Sequence, residues 1–356
     1  MSTPELKQDV ISGLFKPSGL SAIVACVTAV CCTLFYLLYI TPERILHLTP
    51  ELATHDGDDD IFLTSTVLGL KKNTPAGQAV FLLGDSSIRD AVRKELLQKT
   101  LFDAGLDYSV VDLRSGGQTI LESLAIVDNI PETSAGIVVL GNSPRRLYLT
   151  SRMIDWAQKG SRRGFSSLAV DQYLSEYKHK SSRKTGIYGL DNFWFVVPRL
   201  AQNFYDRDKQ AFSHVEHRNE GFGVLPEHVL EEKEASYMSV IKKPYKAYSE
   251  DLGAGREVLR RIDRLVGKNQ NLSLLMLETP LNPEFIDIRL GRNFYSEHII
   301  DAASFYKENN MLYFNANDLV KFSSTDFIDV VHLSNTAAIN RYTKIVANKL
   351  LAIING

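Results

Sequence analysis

The chain has 356 residues, of which 44% are apolar, and its formal net charge is −2. This length fits one large domain or two small ones, and the apolar fraction is sufficient for a substantial core. The near-neutral charge excludes a long-range field that would attract nucleic acid or anionic lipid to the whole chain. The sequence has no H-E-x-x-H motif and no pair of C-x-x-C motifs, so we expect neither a metal nor another cofactor.

An uncharged apolar run, Gly19–Ile40, lies near the N-terminus. As a helix it would be roughly 33 Å long, enough to cross the hydrocarbon core of a bilayer. One alternative is a cleaved signal peptide, whose apolar region would be only about 7–15 residues long. Another is a lipoprotein cleaved before Cys26, but that cleavage would leave an apolar tail on the mature protein. The sequence therefore favours an uncleaved transmembrane helix over residues 19–40.

The charges that flank this run predict its orientation. Lys7 and Lys16 precede it, whereas Arg44 is the only Lys or Arg between the run and Lys71, in a segment rich in Asp and Glu. Because basic flanks tend to stay in the cytoplasm, we expect residues 1–18 inside and the rest of the chain outside. All three cysteines lie within the run, whereas a eukaryotic secretory domain of this size usually carries disulfides. The expected location is the plasma (inner) membrane of a bacterium, as a single-pass protein with its main domain extracytoplasmic or periplasmic.

Beyond the run, strand-like and helix-like segments alternate. Residues 41–78 are predicted to form a polar, acidic linker that ends at a turn containing Pro and Gly. Short apolar runs predict strands at Ala79–Leu83, Tyr108–Leu113, Gly136–Leu140, Leu272–Leu277 and Met311–Phe314. Apolar residues at helical spacing predict helices at Ser87–Ala104, Gln118–Asp128, Glu257–Val266 and Thr336–Ile354. This alternation is typical of a parallel sheet covered by helices on both faces.

A long segment, residues 147–255, interrupts the alternation and is rich in basic and aromatic residues. We interpret it as one insertion within a domain that spans residues 79–356. Its basic side chains could bind an anionic glycan or a lipid headgroup, and its aromatic side chains could stack on sugar rings. The alternative is a solvated charged face with its aromatic residues in a core, and the sequence leaves both open.

Polar residues follow the first two predicted strands, where open α/β sheets place their ligand sites. After the first strand, Gly84-Asp85-Ser86 puts a serine at the start of a helix. That serine is either a nucleophile close to backbone N–H groups or a capping residue in an ordinary turn. After the second strand, Gly116 and Gly117 either bring a backbone N–H close to a ligand or form a plain glycine turn.

Two further polar blocks follow later in the chain. Asn142 comes directly after the third strand and could complete an oxyanion hole or be a loop asparagine. Asp329 and His332 precede the last helix and are the orienting carboxylate and the base that a nucleophilic serine needs. Arg145 and Arg146 follow Asn142 and are predicted to contact substrate at the same site.

Together and in this order, the four blocks resemble the SGNH hydrolase superfamily, also called GDSL-like esterases. That family is named for a Ser, a Gly, an Asn and a His in four such blocks. The resemblance implies a three-layer αβα sandwich with a parallel five-stranded sheet, preceded here by the transmembrane helix. It also implies the roles of five residues: nucleophile Ser86, base His332, orienting group Asp329, and oxyanion-hole donors Gly117 and Asn142.

The resemblance covers about Val80 to the C-terminus, without the insertion. The third block of the family often reads G-x-N-D, whereas here Gly141 abuts Asn142 and Ser143 replaces the Asp. In the first block, Ser87 stands where the family has Leu. These departures weaken the assignment of Asn142 as an oxyanion donor more than the assignment of Ser86 as the nucleophile.

The expected architecture is one span, a linker and an exported SGNH-like domain. It resembles that of the cell-envelope proteins of teichoic acid D-alanylation and of alginate and cellulose O-acetylation. This resemblance implies a serine acyltransferase that modifies an envelope polysaccharide or glycolipid through an acyl-Ser86 intermediate. The alternatives are an esterase or deacetylase with the same residues, and a non-catalytic glycan-binding assembly module. A transferase would need a multi-spanning membrane acyltransferase as partner, because a charged acyl donor made inside does not cross hydrocarbon unaided.

Overall fold

The computed structural model of the chain describes residues 19–41, 44, 59–159, 163–177, 185–197, 227–241 and 245–356. The N-terminal apolar run forms helix α1, Gly19–Tyr39, which is exposed along most of its length. Among the described residues it is the one helix long and apolar enough to cross a membrane. A signal sequence near the N-terminus can also form an apolar helix that meets this criterion, so the membrane span stays a prediction.

Five strands form one parallel sheet, which confirms the expected fold class. Their order in the sheet is β2-β1-β3-β4-β5. Each coincides with a predicted apolar run to within two residues at either end: β1 Gln78–Gly84, β2 Tyr108–Arg114, β3 Ala135–Asn142, β4 Leu272–Glu278 and β5 Leu312–Asn315. The runs are continuous because both faces of the inner strands are buried.

Helices cover both faces and complete the three layers. They are α2 Asp59–Lys72, α3 Ser86–Ala91, α4 Lys94–Asp103, α5 Ile120–Val127, α6 Ser151–Lys159, α7 Leu168–Glu176, α8 Tyr188–Asp191, α9 Glu227–Ile241, α10 Tyr245–Lys268, α11 Pro283–Phe285 with a π-helical turn Ile286–Leu290, α12 Arg292–Glu308, α13 Asn317–Val320 and α14 Thr336–Asn355. Phe81 and Leu83 of β1 pack with residues of α2, α5, α10 and α12. Val80 and Leu82 point to the other face, where they pack with residues of α3, α4, α13 and α14.

The second half of the expected linker differs from the prediction, because residues 59–72 form helix α2 and contribute to the core. Leu63 and Val67 are buried against the sheet layer, together with residues of α5. Asp59 and Asp60 occupy the first turn of the helix, where negative charge is favourable. The acidic composition that suggested a solvated linker therefore marks the start of a packed helix.

The helix predicted over residues 87–104 is divided into α3 and α4. Val92 ends α3 in an extended conformation. The guanidinium of Arg114, at the end of β2, donates to the carbonyls of Ile88 at 3.1 Å and of Val92 at 2.5 Å. In a continuing helix the Val92 carbonyl would accept a backbone N–H, whereas here a buried arginine from a neighbouring strand supplies the donor and stabilises the break.

Helices α6 to α9 lie within the insertion. Helix α10 begins at Tyr245, inside the segment predicted as insertion. Leu147, Phe165 and Tyr173 belong to the same core as the sheet. The described part of the insertion is therefore packed onto the domain.

Candidate active site

The polar blocks meet at the carboxyl edge of the sheet. Strand β1 lies between β2 and β3 and is parallel to both, so the loops that carry Ser86, Gly117 and Asn142 leave the sheet side by side. The N–H of Ser115 donates to the carbonyl of Gly84 at 3.0 Å, which joins the first two blocks directly. The fourth block reaches this edge from the loop before α14.

A chain of hydrogen bonds links Ser86, His332 and Asp329. The Oγ of Ser86 lies 2.7 Å from Nε2 of His332. The Nδ1 of His332 lies 2.7 Å and 2.8 Å from the two carboxylate oxygens of Asp329. An ionised carboxylate only accepts, so Nδ1 carries the proton and Nε2 of the neutral ring accepts the serine O–H. This is the arrangement in which a histidine removes the proton of a nucleophilic serine.

Asp329 is buried and fully engaged. Besides the imidazole, its Oδ1 accepts the backbone N–H groups of Val331 at 3.0 Å and of His332 at 2.9 Å. Its Oδ2 also accepts a hydrogen bond from Nζ of Lys233 at 2.7 Å. Burial raises the pKa of Asp329, but the hydrogen bond and charge of His332, with the hydrogen bonds from Lys233 and the Val331 N–H, outweigh it and hold this pKa well below its usual range. The carboxyl is therefore ionised throughout the pH range in which such a site works.

The imidazole of His332 has a raised pKa. Burial lowers it, but the hydrogen bond and charge of Asp329 raise it by more, and the charges of Asp90 and Asp85 add to this. A stronger base takes the serine proton more readily, provided that the pH is high enough to leave the ring neutral.

Gln118 holds the loop of the second block in place. Its side-chain carbonyl accepts the N–H of Gly84 and the hydroxyl of Ser123, each at 2.9 Å. Its amide N–H₂ donates to the carbonyl of Leu113 at 2.8 Å. Gly117, directly before it, has a φ of 61°, a left-handed conformation that favours glycine. The loop that carries the predicted oxyanion donor is therefore fixed at both ends.

Asn142 is fully buried at the end of β3, opposite Glu278 of β4. Its Nδ2 donates to Oε2 of Glu278 at 2.6 Å. Glu278 also lies 3.3 Å from Nε2 of His298 and accepts from the hydroxyl of Tyr313 at 3.2 Å. One N–H of the Asn142 amide is thus directed at Glu278, and the second is the one that an oxyanion would use. The oxyanion roles of Gly117 and Asn142 stay predictions.

The two arginines after Asn142 occupy different environments. Arg145 is exposed near the edge of the sheet and stays a candidate for substrate contact. Arg146 is buried, and its guanidinium donates to Oγ of Ser123 at 2.6 Å and to the carbonyl of Gln118 at 3.2 Å. Burial without full charge compensation lowers its pKa. This position gives Arg146 a structural role between the second and third blocks, and its contact with substrate stays a prediction.

Some of the basic and aromatic residues of the insertion lie among the described residues. Arg163 is buried and pairs with Asp60 of α2, with a hydrogen bond to Oγ of Ser115 at 2.8 Å. Lys178 and Lys184 lie outside the described residues. A cavity of about 80 Å³ lies between α5 and the insertion and is lined in part by Trp156, but not by the three residues of the Ser86–His332 chain. Phe165 and Tyr173 of this segment belong to the core, and ligand binding by its basic and aromatic residues stays a prediction.

Sequence reasoning missed several residues that support the site. Lys233 comes from the insertion, and no local pattern distinguishes it from other exposed lysines. Asp59 accepts the N–H of Gly116 at 2.7 Å and pairs with Arg89 of α3. The apolar spacing after three adjacent acidic residues, 58–60, could have indicated this helix. Gln118 lies within a recognised block, but its hydrogen bonds connect parts of the chain that a local pattern does not relate.

Comparison with known proteins adds little to this geometry. No family model matches the chain, and neither does any curated protein. Among solved structures, the chain is similar to TesA with a TM-score of 0.37 and 14% identity, over 77% of this chain and 98% of TesA. It is also similar to the lipase Lip_vut3 from a goat rumen metagenome, with a TM-score of 0.32 and 13% identity over 76% of this chain and 97% of the lipase. Likeness at this level supports no statement about activity, so the candidate site is argued from its own geometry.

Proposed function

We propose that this protein is an SGNH-type serine acyl-transfer enzyme in which Ser86 attacks an acyl ester. The hydrogen-bonded chain from Ser86 through His332 to Asp329 carries the proposal. In this mechanism Nε2 of His332 removes the proton from Ser86 as its Oγ bonds to the acyl carbon, and the same proton then goes to the departing alcohol. The resulting acyl-Ser86 is released by an acceptor hydroxyl or by water, with His332 again as the base.

We further propose that the enzyme is anchored by α1 with its catalytic domain outside the plasma membrane. Helix α1 is apolar and exposed, which suits lipid contact. The charges before and after it favour the orientation with the N-terminus inside. In this location the acceptor would be an envelope polysaccharide or a glycolipid, and a multi-spanning membrane acyltransferase would present the acyl group. Gly19, Ala22, Ala25 and Ala29 give α1 a face of small residues suited to close helix contact.

A direct test uses acyl-enzyme trapping. The purified full chain in detergent is incubated with an activated acyl ester, and the modified peptide is located by mass spectrometry. Acylation should fall on Ser86 and disappear in Ser86→Ala, while the matched variant Ser296→Ala, at an exposed position on α12, should be acylated normally. Acylation that persists on another residue of Ser86→Ala would exclude this nucleophile.

Hydrolysis is the second candidate, because the side chain of His332 is 25% exposed and water can reach it. The two functions predict opposite effects of deleting the gene on the acyl content of the envelope glycan. A fall supports the transferase, whereas a rise shows a deacylase. If Ser86→Ala in the chromosome changes nothing, the glycan-binding assembly role becomes the better description.

A further inference from the structure

The insertion contacts the outer end of α1. Helix α8 packs against the last turn of α1 so closely that a Cβ on Gly189 would lie 2.2 Å from the carbonyl oxygen of Leu37. Ile40, just beyond α1, is buried in a small cluster with Phe195 and Val196 of the insertion. Residues 185–197 are therefore fixed beside this end of the helix.

The length of α1 indicates the depth, relative to the membrane, at which this contact lies. Its 21 residues extend over about 31 Å, close to the thickness of a hydrocarbon core. If α1 spans the membrane, Leu37 and Tyr39 reach the outer boundary of that core. The guanidinium of Arg44 lies 3.1 Å from the centre of the Tyr39 ring and donates to the Tyr39 carbonyl at 2.9 Å, which places a cation at the headgroup level. Whatever packs on Leu37 and Ile40 lies at the same level.

An aromatic pair, with Trp194 exposed and Phe193 half-buried, lies in this part of the insertion. Trp194 is 57% exposed, and Phe193 contacts its ring edge-on at 5.3 Å between centroids. The next residues, Phe195 and Val196, are buried toward α1 and α2, so the indole points away from that cluster. Tryptophan is enriched at membrane interfaces, where its ring meets acyl chains and its N–H meets water or headgroups.

Residues 185–197 carry little charge that would have to lose water on entering the headgroup layer. Asp191 is the one charged residue in 185–197. Its carboxylate accepts the N–H of Thr185 at 2.6 Å and of Gly186 at 3.0 Å, so its charge is already stabilised within the segment. The segment can thus approach lipid without leaving a bare charge there.

We propose that Phe193 and Trp194 insert into the lipid interface beside the outer end of α1 and form a second membrane contact of the catalytic domain. The ligand of this surface is the boundary between headgroups and acyl chains. This inference rests on the proposed anchoring by α1. Two contacts, the span and this aromatic pair, fix the height and tilt of the domain, which a single flexible tether would not do.

The chain has two tryptophans, Trp156 and Trp194, so fluorescence can report on each separately. Trp156→Phe leaves Trp194 as the reporter, and Trp194→Phe leaves Trp156, which lies within the insertion with Arg152 at 4.4 Å from its ring centre. Each full chain is reconstituted in phosphatidylcholine vesicles whose acyl chains carry bromine either near the headgroup or near the bilayer centre. We expect Trp194 emission to be quenched strongly, and more by the shallow bromine, and Trp156 emission to be quenched less.

Two other outcomes are distinguishable. If the chain floats with the vesicles but Trp194 is quenched no more than Trp156, or more by the deep bromine, the aromatic contact is wrong while the anchor holds. If the chain does not float with vesicles at all, the anchor itself fails and this inference fails with it. Retained acylation of Ser86 in both variants shows that the domain is folded.

Discussion

Lys233 offers a test of how the insertion acts on the candidate triad. Its ammonium donates to Asp329 from helix α9 and offsets part of the carboxylate charge that raises the pKa of His332. Lys233→Met removes this cation but keeps much of the side-chain bulk. The charge of Asp329 then acts on His332 with less compensation, so the pKa of His332 should rise further. A base with a higher pKa is protonated over more of the acidic range, so the acidic limb of kcat/KM should move to higher pH.

The size of the effect follows from the exposure of the lysine. The Lys233 side chain is 44% exposed, so solvent screens its charge, and pairs of this kind contribute about 0.2–1 kcal/mol. With RT of about 0.6 kcal/mol, kcat/KM on the acidic limb should fall roughly 1.5- to 5-fold, and the plateau at high pH should not change. The assay is the pH dependence of kcat/KM for a small acyl ester, which reports the pKa values of the free enzyme.

Two variants make the test specific. Lys233→Arg keeps the charge, so the acidic limb of its kcat/KM profile should match that of the wild type. Lys99→Met is the charge control, because it removes one positive charge, as Lys233→Met does. The charge comes from an exposed ion pair with Asp103 on α4, away from the fourth block. Its limb should match the wild type. The reasoning is refuted if the Lys233→Met limb coincides with the wild type or moves to lower pH, since either result would mean that Lys233 does not offset the charge of Asp329.

Four further expectations can be checked with simple variants. Ser86→Ala and His332→Ala should each abolish turnover of an acyl ester, and the double variant should lose little more than either one, because the two residues act as a unit. Asn142→Ala should lower kcat about 10²–10³-fold if the Asn142 amide donates to the oxyanion. An unchanged kcat in steady-state assays would show that Asn142 does not have that role. Arg114→Met should destabilise the domain by about 3–5 kcal/mol in urea unfolding, because it removes the guanidinium that pairs with the buried Asp112 carboxylate and donates to the Val92 carbonyl at the end of α3; a change below 1 kcal/mol, on the order of a surface pair, would contradict this. A reporter fused after Gly356 should be extracytoplasmic, and alkaline washing should leave the protein in the membrane; a cytoplasmic readout would reverse the proposed topology.

The sequence by itself determined the features that depend on neighbouring residues. The five strands were predictable because strands buried on both faces are continuous apolar runs, as in Ala79–Leu83. Helix α14 was predictable from its apolar spacing, and Asn335 caps it by accepting from two backbone N–H groups. Asp329 and His332 are three residues apart, so their pairing is also a local property.

Only the tertiary structure decided the features that depend on residues distant in the chain. Ser86 and His332 are separated by 246 positions, and their contact exists because β1 and the loop before α14 end at the same edge of the sheet. Arg145 and Arg146 are equivalent in sequence, but one is exposed and the other is buried against Gln118 and Ser123. Local patterns report which face of an element is apolar, whereas burial, ion pairing and proton transfer depend on which other elements pack against that face. For this reason the contact of Lys233 with Asp329 appears only once the insertion is folded onto the domain.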